Sequence, residues 1–114
     1  LPVADGTRHY FASPRAAVGF FLHAAGLDTS GMDHRRALVM PGLTARVGEQ
    51  IEALRRAAGA GAVALIRRSD DPLVARIVAG WAAGYAAERA RALGFAAETD
   101  MDAIIRVHLE DERP

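Results

Sequence analysis

At 114 residues the chain is long enough for one domain or part of one, and too short for a dinucleotide-binding fold together with a substrate domain. Fourteen basic residues balance fourteen acids, which removes any global electrostatic case for nucleic acid or an anionic membrane. With 51% hydrophobic residues and no apolar run of about 18, the chain reads as globular, with no membrane partner and a cytoplasmic location. Zero cysteines exclude disulfides and thiol catalysis. All fourteen basic residues are arginines, so a Schiff base and a P-loop lysine are excluded too. No signal peptide is visible, and a first residue Leu1 in place of Met implies a natural start upstream.

In chain order, Arg8 to Ala12 alternates as a strand with two unlike faces. Ser13 followed by Pro14 starts a helix, whose Val18, Phe21, Leu22 and Ala25 form an apolar stripe of helical period, with Gly26 as its left-handed end. Arg8 then points at a helix amino end. Leu27 to Arg35 reads as a surface loop, and Arg36 to Met40, stopped by Pro41-Gly42, as a short buried strand. Val47, Ile51, Leu54 and Ala58 recur at helical spacing up to Gly59. Arg46 precedes that helix and cannot accept amide hydrogen bonds, so a frayed start is expected at a cost of about 1 kcal/mol.

Val63 to Arg67 suits either a strand or the end of a helix. Asp71-Pro72 starts a helix that packs Val74, Ile77, Val78 and Trp81 and ends near Gly80. Tyr85 to Gly94 reads as a short alanine-rich helix with a weak start. Thr99 or Asp100 caps a last helix carrying Met101, Ile104, Ile105 and His108 on one face, followed by a charged tail from Glu110 to Arg113. Alternating short strands and helices give an α/β lobe of about five helices and a few short strands, too few for an independent closed sheet.

Several separate segments recur in a familiar order: RHYFASPRAAVGF from Arg8, MPGL from Met40, and VGEQIEALRRAAG from Val47. In these the chain resembles the extended short-chain dehydrogenase/reductase family, the NAD-dependent epimerases and dehydratases, and most of all its D-erythronate dehydrogenase branch, from about Leu1 to Glu112. The resemblance implies a carboxyl-terminal substrate-binding lobe over residues 1–114, a fragment of a larger chain. The family's Tyr-x-x-x-Lys pair is impossible without lysine. No glycine cluster has the strand-then-helix layout that approaches a pyrophosphate, so the chain holds neither catalytic base nor cofactor site, and NAD or NADP belongs to the full-length enzyme. The implied partners are a small anionic sugar-acid substrate and a missing amino-terminal Rossmann domain. A lobe cut from that domain would expose apolar faces and self-associate.

On this resemblance Arg8 is the leading substrate contact, its planar fork suited to a carboxylate; a surface arginine paired to an acid is the plainer account. His9 beside it is a candidate hydrogen-bonding partner for substrate. Arg68 and Asp71 match an arginine and aspartate that touch nucleotide in epimerases, although Asp71 also suits a helix cap. Arg15 stands where many epimerases carry an aspartate, which favours a small anion; a solvated first-turn arginine explains it equally well. His9, His23, His34 and His108 include no i, i+4 pair, so a helical metal site is not expected. Trp81 and Phe20-Phe21 suit core packing better than base stacking. The implied function is the substrate-binding part of an NAD(P)-dependent oxidoreductase acting on a small sugar acid. A standalone binding module, or the lobe of a sugar-nucleotide epimerase, is the alternative.

Overall fold

A computed structural model describes residues 1–112, so Arg113 of the expected charged tail lies outside the described residues. The elements follow in order as β1 (Arg8–Phe11), α1 (Pro14–Ala25), β2 (Leu43–Arg46), α2 (Val47–Ala64), α3 (Pro72–Ala79), α4 (Glu88–Ala92) and α5 (Met101–Glu112). Five helices and a two-stranded sheet make up the expected α/β lobe. None of the described helices is long and apolar enough to cross a membrane.

The sheet is an antiparallel pair with Arg8 opposite Arg46, His9 opposite Ala45, Tyr10 opposite Thr44 and Phe11 opposite Leu43. Opposed residues share a face. Ala45, Phe11 and Leu43 therefore turn inward, where they meet Ala53 of α2 and Met101, Ile104 and Ile105 of α5 in the core. Arg8, Tyr10, Thr44 and Arg46 occupy the outer face. Arg56 of α2 and Asp102 of α5 add a two-bond ion pair at 2.9 and 2.7 Å over the α2–α5 seam.

Ser13 caps α1 as expected, accepting from the Ala16 amide at 2.9 Å with Pro14 next in the chain. The end differs: Gly26 is right-handed at φ −97°, and its N–H reaches back to the carbonyls of His23 and Ala24. The stripe on α1 is uncovered, with Val18 57%, Phe21 79% and Leu22 71% exposed. The α3 face is uncovered in the same way, since Leu73, Ile77 and Trp81 are all more than half exposed. Expected core packing for Phe21 and Trp81 is thus not met; Phe20 alone of the Phe pair is half-buried, edge-on to Phe95.

Arg36 to Met40, expected as a buried strand, is irregular chain. The exposed edge of β1 is taken instead by Leu43–Arg46, beyond Pro41-Gly42. The start of α2 is also not frayed. The amides of Val47 and Gly48 donate to the carbonyls of Thr7 and Asp5, each at 2.9 Å, while the Glu49 carboxylate accepts the Arg46 N–H at 2.5 Å. Long-range carbonyls do the capping that the Arg46 side chain cannot.

Gly59 interrupts α2 at φ 79°, ψ 175°, a conformation open essentially to glycine. The helix resumes to Ala64, so Val63 and Ala64 belong to a helix end, and residues 65–71 carry no strand. Helix α4 begins only at Glu88, because Ala87 at its start offers no side-chain acceptor, and Gly94 at φ +88° follows its end. Asp100 accepts from Ala103 at 2.7 Å and starts α5, on which His108 is exposed and outside the packed face.

Candidate functional site

Strand β1 sets two neighbouring side chains on opposite faces of the sheet. Arg8 goes outward and is exposed, and with Thr44, Ala45, Arg46 and Glu49 it lines an open recess of about 330 Å³ at the foot of α2. The helix amino end beside Arg8 is therefore that of α2, reached through the sheet register. Among the described residues no carboxylate lies within ion-pair distance of Arg8 or Arg46.

His9 goes the other way and packs edge-on against Phe11 at 6.0 Å and Trp81 at 5.6 Å between ring centroids. Its Nδ1 is buried and has no hydrogen-bond partner, a cost that most buried polar groups avoid. A second recess, of about 460 Å³, is lined by His9, Tyr10, Phe11, Trp81 and Tyr85 among others. Tyr10 is fixed by its hydroxyl donating to the Met40 carbonyl at 3.0 Å and by the Tyr85 ring at 5.2 Å. The segment between α3 and α4 crosses close to β2, since a Cβ on Gly84 would lie 2.7 Å from Thr44 Oγ1.

The other three expected site residues are engaged within the chain. Arg15, in the first turn of α1, bonds Glu110 at 2.9 Å and Asp111 at 2.5 and 3.2 Å on α5. The hydrogen bond from Arg15 holds the Asp111 carboxyl below its usual range. Arg68 donates to the Val3 carbonyl at 3.3 Å and to the Asp5 carboxylate. Because the Asp5 carbonyl also receives the Gly48 amide, Arg68 steadies the foot of α2 indirectly. Asp71 caps α3, accepting from Leu73 at 2.9 Å and Val74 at 3.1 Å. The structure thus sets Arg8 and His9 on opposite faces of one strand, in separate recesses, and leaves Arg15, Arg68 and Asp71 with protein partners.

Two contributors escaped the sequence reading. Arg46 was visible as a poor cap, and only the 43–46 alternation could have set it opposite Arg8. Glu98 binds Ser13 from far along the chain, and no local pattern announces it.

The residues present do not fit a dinucleotide. A pyrophosphate needs free amides at a helix start, yet Ser13 and Glu98 occupy that of α1, Thr7 and Asp5 that of α2, Asp71 that of α3 and Asp100 that of α5, and the uncapped α4 is only five residues long with Glu88 in its first turn.

No protein-family model matches the chain. It is 38% identical over 110 residues to a D-erythronate dehydrogenase of Cupriavidus necator, covering 96% of this chain and 34% of that protein. A D-erythronate dehydrogenase of Haemophilus influenzae is 26% identical over 109 residues, covering 96% of this chain and 35% of its own length. Among solved structures, the nucleoside-diphosphate-sugar epimerase from Agrobacterium tumefaciens superimposes with a TM-score of 0.94 at 56% identity, over 98% of this chain and 33% of that one. The chain therefore spans about a third of the length of the curated relatives it matches. These matches bear out the resemblance: the chain is similar over nearly its whole length to about a third of two D-erythronate dehydrogenases and of a nucleoside-diphosphate-sugar epimerase.

Proposed function

We propose that this chain is the substrate-binding lobe of an NAD(P)-dependent oxidoreductase acting on a hydroxyl of a small, D-erythronate-like sugar acid. The observation that carries the reading is Arg8, an exposed guanidinium with no carboxylate within ion-pair distance among the described residues, opening on a recess at the start of β1. An arginine in that state suits the carboxylate of a sugar acid, which its planar fork can hold by two parallel bonds. Thr44 and Glu49, which line the same recess, would border the carbon chain, and His9, on the opposite face, would not reach it. The name of the C. necator relative supports the choice of acid. The lobe supplies binding alone; the hydride acceptor, NAD or NADP, and the proton-transfer groups would come from a Rossmann portion outside these residues.

A second reading is the lobe of a nucleoside-diphosphate-sugar epimerase, favoured by the A. tumefaciens structure. Its weakness is Arg15, whose three bonds to Glu110 and Asp111 leave a basic, occupied position in the first turn of α1.

Steady-state kinetics on the full-length protein separates the two. Reduction of NAD or NADP with D-erythronate is expected, and Arg8→Ala should raise KM about tenfold or more, the weight of a charge-assisted bond. Turnover of a nucleotide sugar with no response to D-erythronate would replace the first reading by the second.

A further inference from the structure

Arg8 and Arg46 are direct cross-strand partners, so both side chains leave the same face of the sheet, with Cβ atoms about 5 Å apart. Like charges set opposite each other repel. Arg15, Arg35, Arg55, Arg56, Arg68 and Arg89 each lie on a carboxylate, whereas Arg36, Arg67, Arg76, Arg91 and Arg106 have none among the described residues; what sets Arg8 and Arg46 apart is that they are unpaired and face each other. The Arg8–Arg46 pair has none within ion-pair distance among the described residues, although both line one recess. The acid lining that recess, Glu49, has one oxygen committed to the Arg46 backbone N–H.

Two guanidiniums and one carboxylate leave the recess with a single net positive charge. A singly charged anion neutralises it; a phosphoryl or diphosphate group would be left with excess negative charge beside Glu49. A carboxylate also has acceptor capacity for both forks, since its two oxygens offer about four lone-pair sites.

We propose that Arg46 is a second anion-binding residue, and that Arg8 and Arg46 together clamp one carboxylate, selecting monocarboxylate sugar acids over neutral sugars and over phosphorylated ones. This rests on the reading of the lobe as a sugar-acid site. Arg46 has a property that makes the test discriminating: it precedes α2 at a position where its side chain caps nothing. Arg46→Thr removes the guanidinium and supplies a side-chain acceptor to the helix start. The variant should therefore melt no lower than wild type while it binds the acid more weakly, a combination that a merely structural role for Arg46 cannot give.

The experiment is calorimetric titration of the full-length protein and its variants with D-erythronate, beside turnover and melting temperature. Arg46→Thr is expected to weaken binding about tenfold or more, with Arg46→Lys intermediate because it keeps the charge and loses the fork. Acetate should compete better than inorganic phosphate. Wild-type affinity in Arg46→Thr, or tighter competition by phosphate, overturns the clamp, and the oxidoreductase reading survives if D-erythronate is still oxidised. Arg46-dependent binding without oxidation leaves the clamp standing and removes the oxidoreductase reading.

Discussion

Ser13 is the most buried polar residue described, 1% exposed, and it is held by two partners of different range. Its hydroxyl accepts from the Ala16 amide and donates to Glu98, while its own N–H reaches the second Glu98 oxygen at 3.2 Å. The Glu98 carboxylate thus sits at the amino end of α1, where the helix dipole favours an anion. Burial pushes the Glu98 carboxyl up, but the hydrogen bonds from Ser13 and from its own backbone, with the Arg15 charge, outweigh it and leave it below the usual range. A depressed acid stabilises the fold at pH values above its unfolded pKa, about 4.3, and that stability is lost as pH falls through the folded value. Denaturant midpoints taken at neutral pH and near pH 3 should therefore differ less in Glu98→Gln than in wild type. A residual slope should remain, since Asp102 and Asp111 are depressed by Arg56 and Arg15 with the same sign. Ser13→Ala should cost about 1–2 kcal/mol at neutral pH. An unchanged acid profile in Glu98→Gln would show that the contact contributes nothing.

Helix starts capped by their own side chains were legible, whereas the start of α2 and the strand pairing, which depend on distant partners, were not. Ser13-Pro14 and Asp71-Pro72 act through bonds spanning two or three residues, so the sequence displays them whole. The partner of β1 depends on a match some 35 residues away. Arg36 to Met40 is the more apolar candidate, yet Leu43–Arg46 won because its alternation puts Leu43 and Ala45 on the core. The pairing also relies on Gly42. A Cβ there would lie 2.6 Å from the Phe11 carbonyl oxygen and 2.7 Å from the Tyr10 ring, too near for either group to yield without moving β1. Gly42→Ala should destabilise by about 1–3 kcal/mol in chemical denaturation, and should raise the KM for D-erythronate by displacing Arg8. A fully stable variant would mean that the strands can part at no cost. For the candidate site, the resemblance singled out Arg8 and His9 and the strand alternation set them on opposite faces, whereas Arg46 and the Trp81–Tyr85 wall of the aromatic recess required tertiary structure.

The whole molecule is broad and thin, with extents of 51 × 36 × 19 Å and a radius of gyration of 16.6 Å. A self-contained domain of this length has a radius near 13 Å. The accessible surface is 7805 Å², whereas a free monomer of this mass presents about 6,000 Å². The uncovered faces of α1 and α3 expose large apolar side chains, among them Val18, Phe21, Leu22, Leu73 and Ile77. Sedimentation of the isolated 114 residues should thus reveal concentration-dependent association, relieved by Phe21→Glu with Leu22→Glu; a monodisperse monomer at tens of micromolar would contradict this. The Ser13–Glu98 contact, which spans 85 positions, also imposes an order of events during synthesis. At about 5–20 residues per second, α1 is made several seconds before the carboxylate that completes its cap. Throughout that interval the amino end of α1 has the Ser13 cap alone, and a segment made some 85 positions later supplies the carboxylate that locks the first helix in place.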